Sequence, residues 1–359
     1  MLKLTQEQIN ALHSNRKVSF RYDLLNFDEI KIGELVGEDG SINFNSLAEI
    51  KRRGKFNFKE NELNDIDWLN DRVRPVFILN DEYEFPLGSF IISAPSREAK
   101  RGNVFRTVDA YDSTLILRED KFINRYMIPK GYNYITAIEQ IINSAGVWKL
   151  DITPSDLVLN TDREFEIGTT KLNAVNSLLQ EINYTSIWVD HMGTIISKPY
   201  VLPSERDVEY TYSNDDMSII KADTASEELD LFEIPNIWVV VASNPESETL
   251  SSVWVNDNAG SPTSTIRRRR NIVDYRQIED VANQQVLDDY VKRLAYEGSN
   301  TFGKFIFSTA IMPHHSYMDC LFCDYSKLNV KNKYIETSWD MDLRVGGTIR
   351  HTARRVIQI

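Results

Sequence analysis

PHHSYMDCLFC, residues 313–323, packs two of the chain's five histidines, both of its cysteines and an aspartate into one short stretch. Read as a ligand set, it would build the C-terminal part of the chain around a metal. Read as a proline-led turn feeding a buried strand, it makes that part a β unit. Spacing favours the strand. Cys320 and Cys323 open the run CLFCDYSKLNV, which has strand character, and positions three apart along a strand point to opposite faces. A tetrahedral zinc site would need four of His314, His315, Asp319, Cys320 and Cys323 to converge. A redox pair fits no better. A reactive thiol needs a helix N-terminus or a cationic neighbour, whereas Leu321 and Phe322 lie between these cysteines and Asp324 follows them. The cysteines therefore read as small hydrophobes, and no catalytic, cofactor-binding or metal-binding residue is assigned.

The rest of the chain carries the same β pattern. In VSFRYDL (18–24), Val18, Phe20, Tyr22 and Leu24 alternate with Ser19, Arg21 and Asp23, the period of a half-buried strand. Further strands are predicted at 73–79, 89–93 and 104–111, and a hairpin over TSIWVDHMGTIISKPY (185–200) turns at Gly193. Three amphipathic helices interrupt the pattern. The first, 134–145, carries Ile135, Ile138 and Ile142 on one face; the second, 172–183, carries Leu172, Val175 and Leu179; the third, 277–297, carries Leu287, Val291 and Leu294 and is closed by Gly298. The strands FGKFIFST, YIETSWDM and TIRHTARRVI then follow, with Ile335, Thr337, Trp339 and Met341 expected on one face of the second. The N-terminal MLKLTQEQINALHSNRK reads as a short helix opened by Thr5 rather than as a signal peptide.

At 359 residues and 42% hydrophobic content the chain is too long for one ordinary core and suggests two or three packed units. Two cysteines cannot staple a chain of this size, so nothing demands an oxidising compartment, and cytoplasmic synthesis is expected. The longest apolar run, Ile237–Ala242, is far below the roughly 20 residues that span a bilayer. The net charge of −12 is uneven: residues 205–257 hold 13 acids and 2 bases, whereas 267–359 hold 15 bases and 11 acids. The acidic stretch would repel nucleic acid. The run Arg267, Arg268, Arg269, Arg270 lacks the interleaved aromatics of a single-strand channel and reads as a loop leading to a strand edge, with a partner-protein contact as the alternative.

Other chemistry is thin. The paired acids Asp215/Asp216, Glu227/Glu228 and Asp288/Asp289 read as solvated, and there is no GxSxG, GxGxxG or GxxxxGK[ST]. His13, His191 and His351 lie far apart in sequence with no motif tying them to a nucleophile.

AEIKRRGKFNF (48–58), DIDWLNDRVRPVF (65–77), FPLGSFIIS (85–93) and RTVDAYDSTLIL (106–117) together resemble the N-terminal part of the baseplate or tail-tip hub proteins of bacteriophages infecting Gram-positive bacteria. This family includes the N-terminal hub of tail-associated lysins. The likeness continues through 166–200, 230–246 and 338–356, and it rests on the order of the segments rather than on any single motif.

The resemblance implies an α+β, mostly β fold, with two tube-type β-barrel domains and a mixed α/β domain between them. The first barrel would span 1–125, the peripheral α/β domain 126–206, and the second barrel 207–359, with a helical insertion at about 251–299. It implies a homotrimer whose six barrels form a ring. That ring would join the sixfold tail tube or distal tail protein to a threefold spike, fibre or lytic module, and would close the channel until the tape-measure protein and DNA pass. The expected location is the virion tail tip or baseplate, with no specific nucleic-acid binding, no membrane contact and no enzymatic activity. Lysin family members continue into cell-wall-cleaving domains, whereas this sequence ends at Ile359, so none is expected within it. The alternatives are the hub of a phage-tail-like bacteriocin or contractile injection system and, further off, a metal-dependent hydrolase using the 314–323 cluster.

Overall fold

The computed structural model describes residues 1–60, 66–100, 102–214, 220, 224–229, 231–244, 248–299 and 303–356. It opens with helix α1 (Gln6–His13), where the Thr5 hydroxyl accepts from the Gln8 N–H and the Gln8 side chain returns the bond, a capping box. Seven strands follow: β1 (Val18–Leu25), β2 (Lys31–Asn45), β3 (Arg52–Lys59), β4 (Arg72–Leu79), β5 (Tyr83–Pro86), β6 (Phe90–Lys100) and β7 (Asn103–Tyr111). Antiparallel pairings run β1–β4–β6–β7–β3–β2 and return from β2 to β1. Six strands thus form a complete ring, leaving no free edge among them.

The middle of the chain contains α2 (Thr114–Glu119), β8 (Tyr126–Ile128), α3 (Tyr134–Ser144), β9 (Leu150–Ile152), β10 (Arg163–Phe165), α4 (Lys171–Glu181), β11 (Trp188–Val189) and β12 (Ile195–Ser197). Asn133 and Thr170 cap α3 and α4, and the predicted apolar faces of both helices pack into one cluster. Gly193 makes the hairpin turn at φ +90°, where an added Cβ would sit 2.8 Å from the Glu29 carboxylate.

The last part holds β13 (Tyr210–Ser213), β14 (Ser226–Leu229), β15 (Ile237–Ala242), β16 (Leu250–Val255), α5 (Thr265–Arg268), β17 (Val273–Ile278), α6 (Gln284–Ser299), β18 (Gly303–Ala310), β19 (Cys320–Tyr325), β20 (Val330–Asp342) and β21 (Thr348–Arg355). Six of these form an arc, β13–β19–β20–β21–β18–β14, with β13 and β19 parallel. The segment between β13 and β14 includes 215–219 and 221–223, so whether this second unit closes there lies outside the described residues, as does the Asp215/Asp216 pair. Strands β16, β15 and β17 form a separate sheet with α6 on one face.

Two expectations are corrected. The helix predicted over 277–297 starts at Gln284, because Val273–Ile278 extends as β17 beside β15 and the Asn283 side chain caps the helix by accepting from the Val286 N–H. In β20 the predicted facing of Ile335, Thr337, Trp339 and Met341 fails. A bulge between Glu336 and Ser338 shifts the register, so Tyr334 below it and Trp339 and Met341 above it enter the same core.

β20 also joins the two β units. Its lower half, from Val330 to Ile335, pairs with β19, and its upper half, from Ser338 to Asp342, pairs with β2 of the ring. At the join Phe44 stacks on Trp339 with centroids 5.4 Å apart, and the buried Arg52 guanidinium lies over both rings. One apolar cluster runs from Tyr22 and Phe56 in the ring to Phe305 and Tyr334 in the arc. Phe44→Ala should therefore cost about 3–5 kcal/mol, with both β units still unfolding in a single denaturant transition followed by near-UV circular dichroism. Two separated transitions would show that the core is not shared.

Candidate functional site

Of the residues in the opening stretch, His314, His315 and Asp319 are all buried in the turn ahead of β19. Cys323 faces the shared apolar core with Leu321, whereas Cys320 is not part of that core, as a spacing of three along a strand requires. Burial raises both thiol pKa values, so neither is poised as a thiolate. The five-residue ligand set does not converge.

What converges is a different set. His315 Nδ1 lies 2.5 Å from Glu336 Oε2, and His351 Nδ1 lies 2.6 Å from Glu336 Oε1, so one carboxylate is shared by two imidazoles. The outer nitrogens are engaged as well: His315 Nε2 is 2.6 Å from the Tyr212 hydroxyl, and His351 Nε2 is 2.9 Å from that of Thr309. This hydrogen-bonded chain crosses the interior of the arc from β18 through β21 and β20 to the turn and β13.

Charge balances within the cluster. Burial alone would lower the pKa of His315, but Glu336 and Asp319 overcome it and raise it to about 9, so this ring is the imidazolium. Burial keeps His351 below its usual value, and it is neutral. Burial would raise the two carboxylates, yet Glu336 is held low by His315 and His351, and Asp319 lower still by the N-terminal ammonium and His315. The Met1 ammonium is 2.8 Å from Asp319 and 3.3 Å from Glu209, and these acids raise its pKa against the effect of burial. His314, stacked between His315 and Tyr210, stays neutral because burial depresses it strongly.

His315, Glu336 and His351 present atoms of the types zinc takes, all within 4.8 Å of one another. A metal there would displace both carboxylate–imidazole hydrogen bonds from a fully buried location. The arrangement favours a proton-bridged strut over a metal centre, its three side chains being fully buried. Sequence reading missed Glu336 and His351 as partners of His315. The available signal was an acid set between Ile335 and Thr337 in YIETSWDM and a lone histidine in TIRHTARRVI, both on strands with buried neighbours.

The remaining expected features are dispersed. His13 bonds the Tyr210 hydroxyl, and His191 lines a cleft of about 630 Å³ together with Met1, Trp188 and Tyr317. Asp288 and Asp289 are exposed on α6 and accept from Gln284 and Gln285. Glu227 accepts from the Tyr334 hydroxyl, and Glu228 pairs with Lys304. In the arginine run, Arg268 donates to the Ile234 and Leu231 carbonyls and Arg270 to that of Phe232, so these two tie down their own loop. The run begins in the short helix α5, turns at the left-handed Arg269 and leads on to β17, an edge strand of its sheet.

No family model matches the sequence, and no curated protein sequence matches it. Solved structures do match in fold. A tail protein from Neisseria meningitidis superposes with TM-score 0.68 at 10% identity, over 94% of this chain and 97% of that one. The 43 kDa tail protein of a Shewanella oneidensis prophage gives 0.67 at 10% identity, over 93% and 98%. A prophage tail protein from Listeria monocytogenes gives 0.55 at 10% identity, over 93% and 94%. The chain has the fold of phage tail proteins along nearly its whole length.

Breaking the shared carboxylate strands a buried imidazolium, so Glu336→Gln should cost about 3–5 kcal/mol in urea unfolding. The pH dependence has a defined sign. The pKa of His315 in the fold exceeds the unfolded value of about 6.5, so its contribution is complete below about 6.5 and is lost as pH rises through about 9. The stability gap between the wild type and His315→Gln should therefore narrow between pH 7 and pH 10, and a constant gap would show that His315 is neutral in the fold.

Proposed function

We propose that this chain is the structural hub of a phage tail tip or baseplate, acting as a homotrimer that adapts a sixfold tube to a threefold spike or fibre. The observation that carries this reading is the joining, through β20, of a closed six-strand ring to a six-strand arc within one chain of tail-protein fold. Three such chains supply six similar walls, which a closed cyclic assembly can arrange as a collar. In this reading 1–125 and 207–359 are the tube-forming domains, the latter carrying the 251–299 insertion, and 126–206 is peripheral. The partners are the distal tail or tube protein above, a spike, fibre or lytic module below, and the tape-measure protein inside.

The role is mechanical. The buried polar cluster is closed off and charge-balanced, which suits a strut that keeps the wall of a channel in shape. Part of the acidic stretch 205–257 would face the lumen, where negative charge keeps passing DNA from sticking. Glu205, Asp207, Glu228, Glu233, Glu248 and Asp257 are exposed, whereas Glu209 is committed to the N-terminal ammonium and the Cys320 N–H.

Mass measurement of the protein mixed with its cognate tube protein should give three hub chains per complex, with a sixfold ring in class averages. Complexes carrying one or two hub chains would reject the trimer. Elemental analysis should find no stoichiometric transition metal, and chelator should leave the unfolding midpoint unchanged. One zinc per chain would return the metal-hydrolase reading to contention.

A further inference from the structure

Helix α6 covers one face of the β16–β15–β17 sheet. Trp238, Val240 and Ala242 of β15 point into α6, against Leu287, Val291 and Leu294. The opposite face has no covering element among the described residues, and strand register fixes its composition. Val255, Ile237 and Val273 form one row across it, and Val253, Val239 and Tyr275 the next. A third row, Ser251–Val241–Gln277, continues it. None of these nine positions is charged, in a chain with 26% charged residues. Val253 is 57% exposed, Val273 53% and Tyr275 61%, values that belong to an open apolar surface rather than a core.

The loops at one end of this sheet are net basic: Arg267, Arg268, Arg269 and Arg270 outnumber Glu233 and Asp257. The row Val255–Ile237–Val273 lies where β16 ends and β15 and β17 begin, and the segment joining β16 to β17 carries α5 and the arginine run. Arg268 and Arg270 are occupied with carbonyls of 231–234, but Arg267 and Arg269 are exposed. The dimensions select the occupant. Three strands span about 10 Å and five residues about 16 Å, the footprint of one helix of about three turns. A folded second copy would have to bury surface beyond this three-strand face to reach the roughly 800 Å² per partner of a stable interface between folded surfaces, whereas one helix fits within it. A helix laid on it would mirror α6 and complete a three-layer sandwich.

We propose that the open face of the β16–β15–β17 sheet docks an amphipathic helix of another protein, with acidic residues at the end nearest Arg267 and Arg269. The identity of that partner as a tail component rests on the hub reading; the chemistry of the surface does not. The probe is a labelled helical peptide of about 14 residues, with leucines along one face and three glutamates at one end, titrated against the full chain by fluorescence anisotropy. A matched peptide carrying three lysines is the control. The glutamate peptide should saturate, and the lysine peptide should bind at least about tenfold more weakly. The Arg267→Glu/Arg269→Glu protein should exchange that preference. Val253→Thr/Val273→Thr keeps β-branched side chains in both strands and should weaken both peptides about tenfold or more. Equal affinity for the two peptides, binding untouched by the valine changes, or no saturation at millimolar peptide overturns the proposal. So does sedimentation showing that the valine changes abolish self-association, because a second copy would then occupy the face. None of these outcomes depends on whether the chain assembles into a tail.

Discussion

The interior of the second β unit is organised by one carboxylate. Glu336 is the acceptor for two imidazoles from different parts of the chain, at 2.5 and 2.6 Å, with no exposure to water. An ion removed from water must be matched by opposite charge and by hydrogen bonds to nearly all of its lone pairs, or it costs several kcal/mol. That requirement propagates outward. His315 must be the imidazolium, Asp319 must balance its second side, and the N-terminal ammonium balances Asp319. Met1 is thereby fastened to the turn before β19, where the Leu2 N–H also donates to the His314 carbonyl. A charge buried in the arc thus fixes where the first residues of the chain lie.

The same carboxylate explains the bulge. Below it β20 pairs with β19, and above it with β2, while β21 follows its other edge throughout. A regular strand would point Glu336 and Trp339 to opposite faces. The extra residue between Glu336 and Ser338 resets the phase, so the acid enters the polar interior of the arc and the tryptophan enters the apolar join with the ring. One irregularity thus lets a single strand serve as a wall of both units.

Much of the fold was legible in the sequence. Period-two alternation located β1, strands were likewise expected where β4 and β7 lie, and period 3.6 located α3 and α4, because those elements bury one face each and their burial repeats along the strand or helix. Where a strand is buried on both faces or switches partner, alternation loses its meaning, as in β20. The start of α6 was misplaced because Ile278 and Val281 fit a helical stripe as well as a strand end, and only the pairing of β17 with β15 separates the two. The polar cluster was the least legible. Its central trio spans 36 residues, from His315 to His351; the ladder between β20 and β21 brings Glu336 near His351, and the turn ahead of β19, which pairs with β20, brings in His315. The resemblance carried by segment order pointed to the tail-protein fold that pairwise identity of 10% hides.

How stiffly the parts of the arc hold together depends on how directional the contacts inside it are. Apolar packing alone supplies adhesion without direction, since a hydrophobic core tolerates sliding of one face past another better than a hydrogen-bonded network does. The chain Thr309–His351–Glu336–His315–Tyr212 is directional at every link, and it crosses the arc from β18 to β13. Removing a link leaves a buried charge or donor unmatched, at a cost of several kcal/mol.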